Sequence, residues 1–138
     1  MSIYACGIPI RNGKLLLGRR ADHRKLYPRC WDVIGGKVEA GETIEMALIR
    51  ELREELGVTP TRWTYVGPVQ DSPTSPKVVL TYEMFAVYKW TGGEPSIRDS
   101  EHTELRWFDV EDACALSGLA CSSYADVFRK IGTHAANS

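Results

Sequence analysis

Three glutamates constrain this chain more than any other feature. Glu51, Glu54 and Glu55 stand at i, i+3 and i+4 in the run Arg50-Glu-Leu-Arg-Glu-Glu-Leu-Gly57, which puts them on one face of a helix. The helical reading is strong. Across Thr43–Leu56, Ile44, Ala47, Leu48 and Leu52 recur at the spacing of one apolar stripe. Thr43 can cap the start, and Gly57 stands where a left-handed residue closes a helix. Like charges at i,i+4 cost a helix a few tenths of a kcal/mol, and Glu54 and Glu55 add negative charge at the negative end of the helix dipole. A hard divalent cation resolves that conflict. Mg²⁺ takes oxygen ligands, keeps several waters and bridges to phosphates; zinc and copper suit such a donor set less well. The competing reading is a solvated acidic face paired with Arg50 and Arg53.

The flanking residues weigh against the solvated face. Gly35-Gly36 ends the short strand expected over Trp31–Ile34, and Gly41-Glu42 turns into the helix just before its cap. A glycine-bounded loop lets backbone approach a ligand closely. Arg50 precedes Glu54 by four residues, so it can pair with that acid and orient the cluster. Glu42, near the helix start, can support the same site.

The remaining chain reads as strands around this helix, without repeats or a Pro/Gly/Ser-rich linker. Ile3–Ile10 and Lys14–Gly18 are apolar and joined by Asn12-Gly13, a hairpin signal. Arg19–Arg29 is expected to be a basic loop. Strands are expected over Trp63–Val69, Val78–Trp90 and Leu105–Val110, with a loop at Asp71–Pro76 and a final helix over Ser122–Ile131. This order predicts an α/β layered domain with helices on a mixed sheet, and the 138 residues suit a single domain over 1–138.

Composition narrows the function classes. The 17 basic and 18 acidic residues leave a net charge of −1, which offers no bulk attraction to nucleic acid or to an anionic membrane. No apolar run approaches the roughly 20 residues of a spanning helix, and Met1–Cys6 lacks the form of a signal peptide. Cys6, Cys30, Cys114 and Cys121 form no CxxC pair and do not cluster with histidine. They read as reduced thiols of a cytoplasmic protein rather than as a zinc site.

The stretch from Gly36 to Val58 resembles the Nudix box. Gly36, Glu42, Arg50, Glu51, Leu52, Glu54, Glu55, Gly57 and Val58 match every fixed position of the pattern. The resemblance implies a Nudix α/β/α sandwich and metal-dependent hydrolysis of a nucleoside diphosphate linked to another group, with Mg²⁺ or Mn²⁺. It implies Glu51, Glu54 and Glu55 as metal ligands, Glu51 also as a potential base, and Arg50 as the residue that orients them. Gly36 and Gly41 shape the loop, with Gly36 counted among the substrate-binding and metal-binding positions. A further acid from a loop ahead of the late strand completes the implied set: Glu101 resembles it, and Glu104 is the rival.

Substrate class is less constrained than chemistry. Length, charge, Glu101 and Lys37-Val38-Glu39 resemble MutT-like nucleoside triphosphate pyrophosphohydrolases, which release monophosphate and pyrophosphate. Oxidised-guanine specialists of that type place an Asn near the start of the last helix, where this chain has Cys121-Ser122-Ser123. The alternative is an ADP-ribose or nucleotide-sugar pyrophosphatase, a subgroup with a proline near the position of Pro73; a dinucleoside polyphosphate substrate is weaker still. In another class stands a non-catalytic nucleotide-sensing Nudix module, against which the retained acids argue. Arg19, Arg20, Arg24, Lys25 and Arg29 can attract a polyphosphate or form a solvated loop. Trp31, Trp63 and Tyr27 can stack on a base or fill the core. A small-molecule nucleotide is the expected partner, with no nucleic acid and no membrane, and the protein is expected to be a monomer or homodimer.

Overall fold

The computed structural model describes residues 2–136, with side chains through residue 132. The elements follow in the order β1 (Ser2–Arg11), β2 (Lys14–Arg20), β3 (Trp31–Asp32), β4 (Ile34–Lys37), α1 (Ile44–Leu56), β5 (Thr59–Asp71), β6 (Leu80–Thr91), β7 (His102–Asp109), α2 (Val110–Cys114) and α3 (Tyr124–Ala136).

Strand β1 holds the mixed sheet together. Along one edge it runs parallel to β6, from Ser2 opposite Leu80 to Pro9 opposite Val87. Along the other edge it pairs antiparallel first with β4, from Tyr4 to Gly7, and then with β2 at Ile10 and Arg11. Strand β5 extends the sheet beyond β6, while β2 carries β3 and β7. Asn12 and Gly13 both take positive φ, 54° and 75°, as a two-residue hairpin turn of the primed type requires.

Side-chain alternation divides the interior between the two sheet faces. Ala5, Leu16, Phe85 and Val87 point to one face, where Ala47, Leu48, Leu52 and Leu56 of α1 cover them. Cys6, Leu15, Leu17, Met84 and Ala86 point to the other, under Tyr124, Val127, Phe128 and Ile131 of α3. The result is an α/β/α sandwich. Gly7 brings α1 down onto β1: a Cβ there would stand 2.8 Å from the Cδ1 atoms of both Leu48 and Leu52.

Several boundaries differ from the sequence expectation. Arg19 and Arg20 belong to β2 rather than to a loop, because pairing with β7 carries that strand on to Arg20 opposite His102. Trp31–Ile34 divides at Val33: Trp31-Asp32 pairs with β2 and Ile34 with β1. The strand expected over Trp63–Val69 is the middle of a 13-residue strand, whose Pro60 and Pro68 are tolerated on an edge. Strand β7 starts at His102, earlier than the expected Leu105. Helix α2 has five residues, too few to show a period.

Phe128 is fully buried against Tyr124 and the sheet. Phe128→Ala is expected to remove about 3–5 kcal/mol of stability, measured as a lower urea midpoint with an unchanged slope.

Candidate active site

Helix α1 is fixed at both ends. The Met46 amide donates to Thr43 Oγ1 at 3.1 Å, and Gly57, with φ 71°, returns its amide to the Arg53 carbonyl. This sets Arg50, Glu51 and Glu55 against the end of β4. The Arg50 guanidinium donates to both Glu42 oxygens at 2.7 and 3.0 Å, to Glu51 Oε1 at 2.7 Å, to Glu54 Oε2 at 3.3 Å and to the Lys37 carbonyl at 3.0 Å. Glu42 and then Glu51 hold Arg50 in its charged form, and Arg50 in turn lowers the pKa of Glu42. The loop between β4 and α1 is thereby tied to the acids of the helix. Gly36 permits the approach, since a Cβ there would collide with the Glu51 carboxylate.

The acids differ sharply in environment. Glu54 is exposed and pairs with Arg50. Glu51 is mostly buried; burial raises its pKa, and Arg50 opposes that rise. Glu55 is only 4% exposed. Burial first, then a proton shared with Glu101 and repulsion from Glu51 and Asp99, push it up to about 10. No donor reaches Glu55 Oε2, and the neighbouring Glu101 carboxyl is itself an acceptor unless one of the two is protonated. Buried carboxylates without donors are costly, and a bound cation removes that cost.

Glu101 lies just ahead of β7, half exposed, 3.3 Å from Arg24. Its carbonyl accepts from the Ala21 amide at 2.8 Å, which pins the 21–30 loop beside the acids. Glu104 sits within β7 and pairs with Arg106 at 2.6 Å, away from Glu55. Glu101 therefore joins the helix acids and Glu104 does not.

A cavity of about 290 Å³ opens between these elements. It is lined by the acids Glu51, Glu55 and Glu101 with Gly36, by Arg20, Arg24 and Asp32, and by the aromatic rings of Tyr4, Tyr27, Tyr82 and Tyr124. Arg20 donates to Asp32 Oδ2 at 3.0 Å and to the Leu26 carbonyl at 2.8 Å, while Arg24 reaches the acids. Arg19 does not line the cavity; its Nε donates to the Arg29 carbonyl. Trp31 is a core residue, edge-on to Phe108 at 5.1 Å, and Trp63 packs at the α1 face of the sheet. Tyr27 lines the cavity and donates to Asp71 Oδ2 at 2.6 Å.

The family model for the NUDIX domain matches residues 1–131. The chain belongs to the NUDIX family. Nucleoside triphosphatase NudI of Escherichia coli is 30% identical over 116 residues, spanning 78% of this chain and 81% of that protein. A MutT NUDIX hydrolase from Burkholderia pseudomallei superposes with a TM-score of 0.80 at 26% identity, covering 93% of this chain and 95% of that one. The NUDIX domain of Shewanella oneidensis NrtR, solved as a cocrystal with ADP ribose, shares the fold with a TM-score of 0.69 at 16% identity, over 94% and 85% of the two chains. This Nudix protein is a pyrophosphohydrolase; such hydrolases use divalent metals, and its buried acids are a candidate donor set.

Three polar residues beside the acids had not been singled out in the sequence. Asp32 lies on the cavity wall, and Asp99 and His102 stand beside Glu55. The available signal was local: Asp99 and His102 flank Glu101 in a polar run just before a strand.

The Glu55 shift carries a stability consequence for the metal-free protein. Its folded pKa lies above the unfolded value, so the folded state binds more protons and stability falls as pH rises from about 4.5 toward 10. Glu55→Gln should flatten this dependence and stabilise the metal-free protein at pH 8 by about 1–3 kcal/mol. Thermal unfolding in chelator across pH 5–9 measures it; an unchanged slope in the variant would refute the assignment of this dependence to Glu55.

Proposed function

We propose that residues 1–138 act as one cytoplasmic domain, monomeric or homodimeric, that hydrolyses nucleoside triphosphates to monophosphate and pyrophosphate with Mg²⁺, and that Mn²⁺ can replace it. The observation that carries this reading is the placement of Glu55, buried and lacking a donor at Oε2, beside Glu51 and Glu101 at one side of a cavity sized for a single nucleoside. At about 290 Å³ the cavity stands at the lower end of small-molecule sites, roughly 300–1,000 Å³. The relative named as a nucleoside triphosphatase supports the same class. The near-neutral charge disfavours nucleic acid as a partner, and no helix among the described residues is long and apolar enough to cross a membrane.

In this reading Glu51, Glu54, Glu55 and Glu101 would hold divalent cations, with the backbone at Gly36 close by. When bound, such ions neutralise phosphate charge and acidify a water. Arg50 keeps Glu51 and Glu54 in a fixed geometry. Glu51, whose proton affinity burial raises, can take the proton of the attacking water. Arg24 and Arg20 supply positive charge on the cavity wall, and Arg19 contributes only to the surrounding field.

Glu54→Gln and Glu101→Gln are each expected to lower kcat/KM by about 10²-fold or more, since a lost metal ligand removes several kcal/mol of transition-state stabilisation. Glu104→Gln should stay near wild type, as exposed ion pairs contribute about 0–1 kcal/mol. Steady-state assays over a nucleotide panel, with products resolved, test both points. Faster turnover of ADP-ribose than of any triphosphate would move the protein to the other substrate class.

A further inference from the structure

The segment leading into β7 folds back onto the end of α1. The Ser96 amide donates to the Leu56 carbonyl at 3.1 Å and the Arg98 amide to the Glu55 carbonyl at 3.0 Å, so the residues that follow arrive directly beside the Glu55 side chain. Asp99 uses one carboxylate oxygen there. Its Oδ1 accepts from the Glu101 amide at 3.1 Å and lies 3.4 Å from His102 Nδ1. Its Oδ2 is buried with no partner, as is Glu55 Oε2. His102 is 8% exposed, and its ring is held against Gly18, where a Cβ would come 2.7 Å from Cδ2. One donor atom from each of Glu55, Asp99 and His102 lies within 4.8 Å of the other two.

Two carboxylates that each keep a buried, unpartnered oxygen, gathered with an imidazole, are not explained by packing. Buried polar atoms are nearly always satisfied, and among the described residues no ammonium or guanidinium pairs with Glu55 or Asp99. Glu55 is 96% buried, so its free oxygen points to a ligand rather than to bulk water. Three ligands about 2.1 Å from one ion stand roughly 3–3.6 Å apart, so the three side chains have to draw together around a cation to close the set. Donor chemistry then selects among cations. Mg²⁺ favours oxygen-only surroundings and dehydrates reluctantly, whereas an imidazole nitrogen favours first-row transition ions.

We propose that Glu55, Asp99 and His102 form a buried cation site that takes a first-row transition ion, with Mn²⁺ preferred over Mg²⁺. The site shares Glu55 with the acids on the cavity wall, which His102 also lines. It rests on the divalent-cation reading of Glu55 but not on which nucleotide is cleaved. Nitrogen ligation has a spectroscopic signature that turnover does not. Electron spin echo modulation of one equivalent of Mn²⁺, added to the nucleotide-free protein in excess Mg²⁺, should show coupling to an imidazole ¹⁴N, and ¹⁵N-histidine labelling should change its frequency. His102→Asn should abolish the coupling and weaken Mn²⁺ roughly tenfold or more, a loss that even outer-shell partners of a metal can cause, while changing Mg²⁺ affinity far less. Asp99→Asn should weaken Mn²⁺ comparably and keep the nitrogen signal. The wild-type spectrum needs no variant to fold. Mn²⁺ bound without nitrogen coupling would overturn this site and leave the hydrolase reading intact, as would coupling that survives His102→Asn. No Mn²⁺ or Mg²⁺ binding at all would remove both.

Discussion

The guanidinium of Arg50 is the interaction on which this site depends. It joins Glu42 and the Lys37 carbonyl, before the helix, to Glu51 and Glu54, on it. Without a cation at that point, three helix acids and Glu42 would repel one another across a narrow gap. The planar fork supplies several donors at fixed angles, which a lysine cannot reproduce. Arg50 therefore sets the position of the loop, the orientation of Glu51 and the separation of Glu51 from Glu54 together.

Close packing completes what that charge pairing begins. Gly7 lets α1 sink onto β1, and Gly36 leaves room for the Glu51 carboxylate against β4. The same descent buries Glu55 at the sheet, next to the segment that runs into β7. A carboxylate driven this deep with an oxygen left unpaired lowers the stability of the empty protein. A cation relieves that penalty, so folding energy and ligand affinity are linked through one side chain.

Much of this was legible in the sequence, and the reasons are physical. The apolar stripe of α1, the Thr43 cap and the Gly57 closure are local signals, and all three are found in place. Apolar, β-prone runs and the Asn12-Gly13 turn signal marked the strands that carry the core, while their ends moved wherever a partner strand extended the ladder, as β7 does for Arg20. The acids of α1 were visible because helical spacing makes neighbours of nearby residues. Asp32, Asp99 and His102 were not visible as a group with them. Their proximity to the acids comes from long-range pairing of β2 with β7 and from the loop that returns to α1, which no local pattern encodes. Likewise, nothing in the run of basic residues distinguished Arg19, which turns away from the cavity, from Arg24, which reaches into it.

The ion pair between Arg24 and Glu101 gives the site an internal counter-charge. A cation that took Glu101 would break that pair and free Arg24 at the cavity wall, where phosphate oxygens would be its next partner. Cation and polyphosphate would then bind in a favoured order, the ion first, with each raising the affinity of the other by the same factor. A nucleotide arriving without its ion would instead have to compete with Glu101 for the same guanidinium.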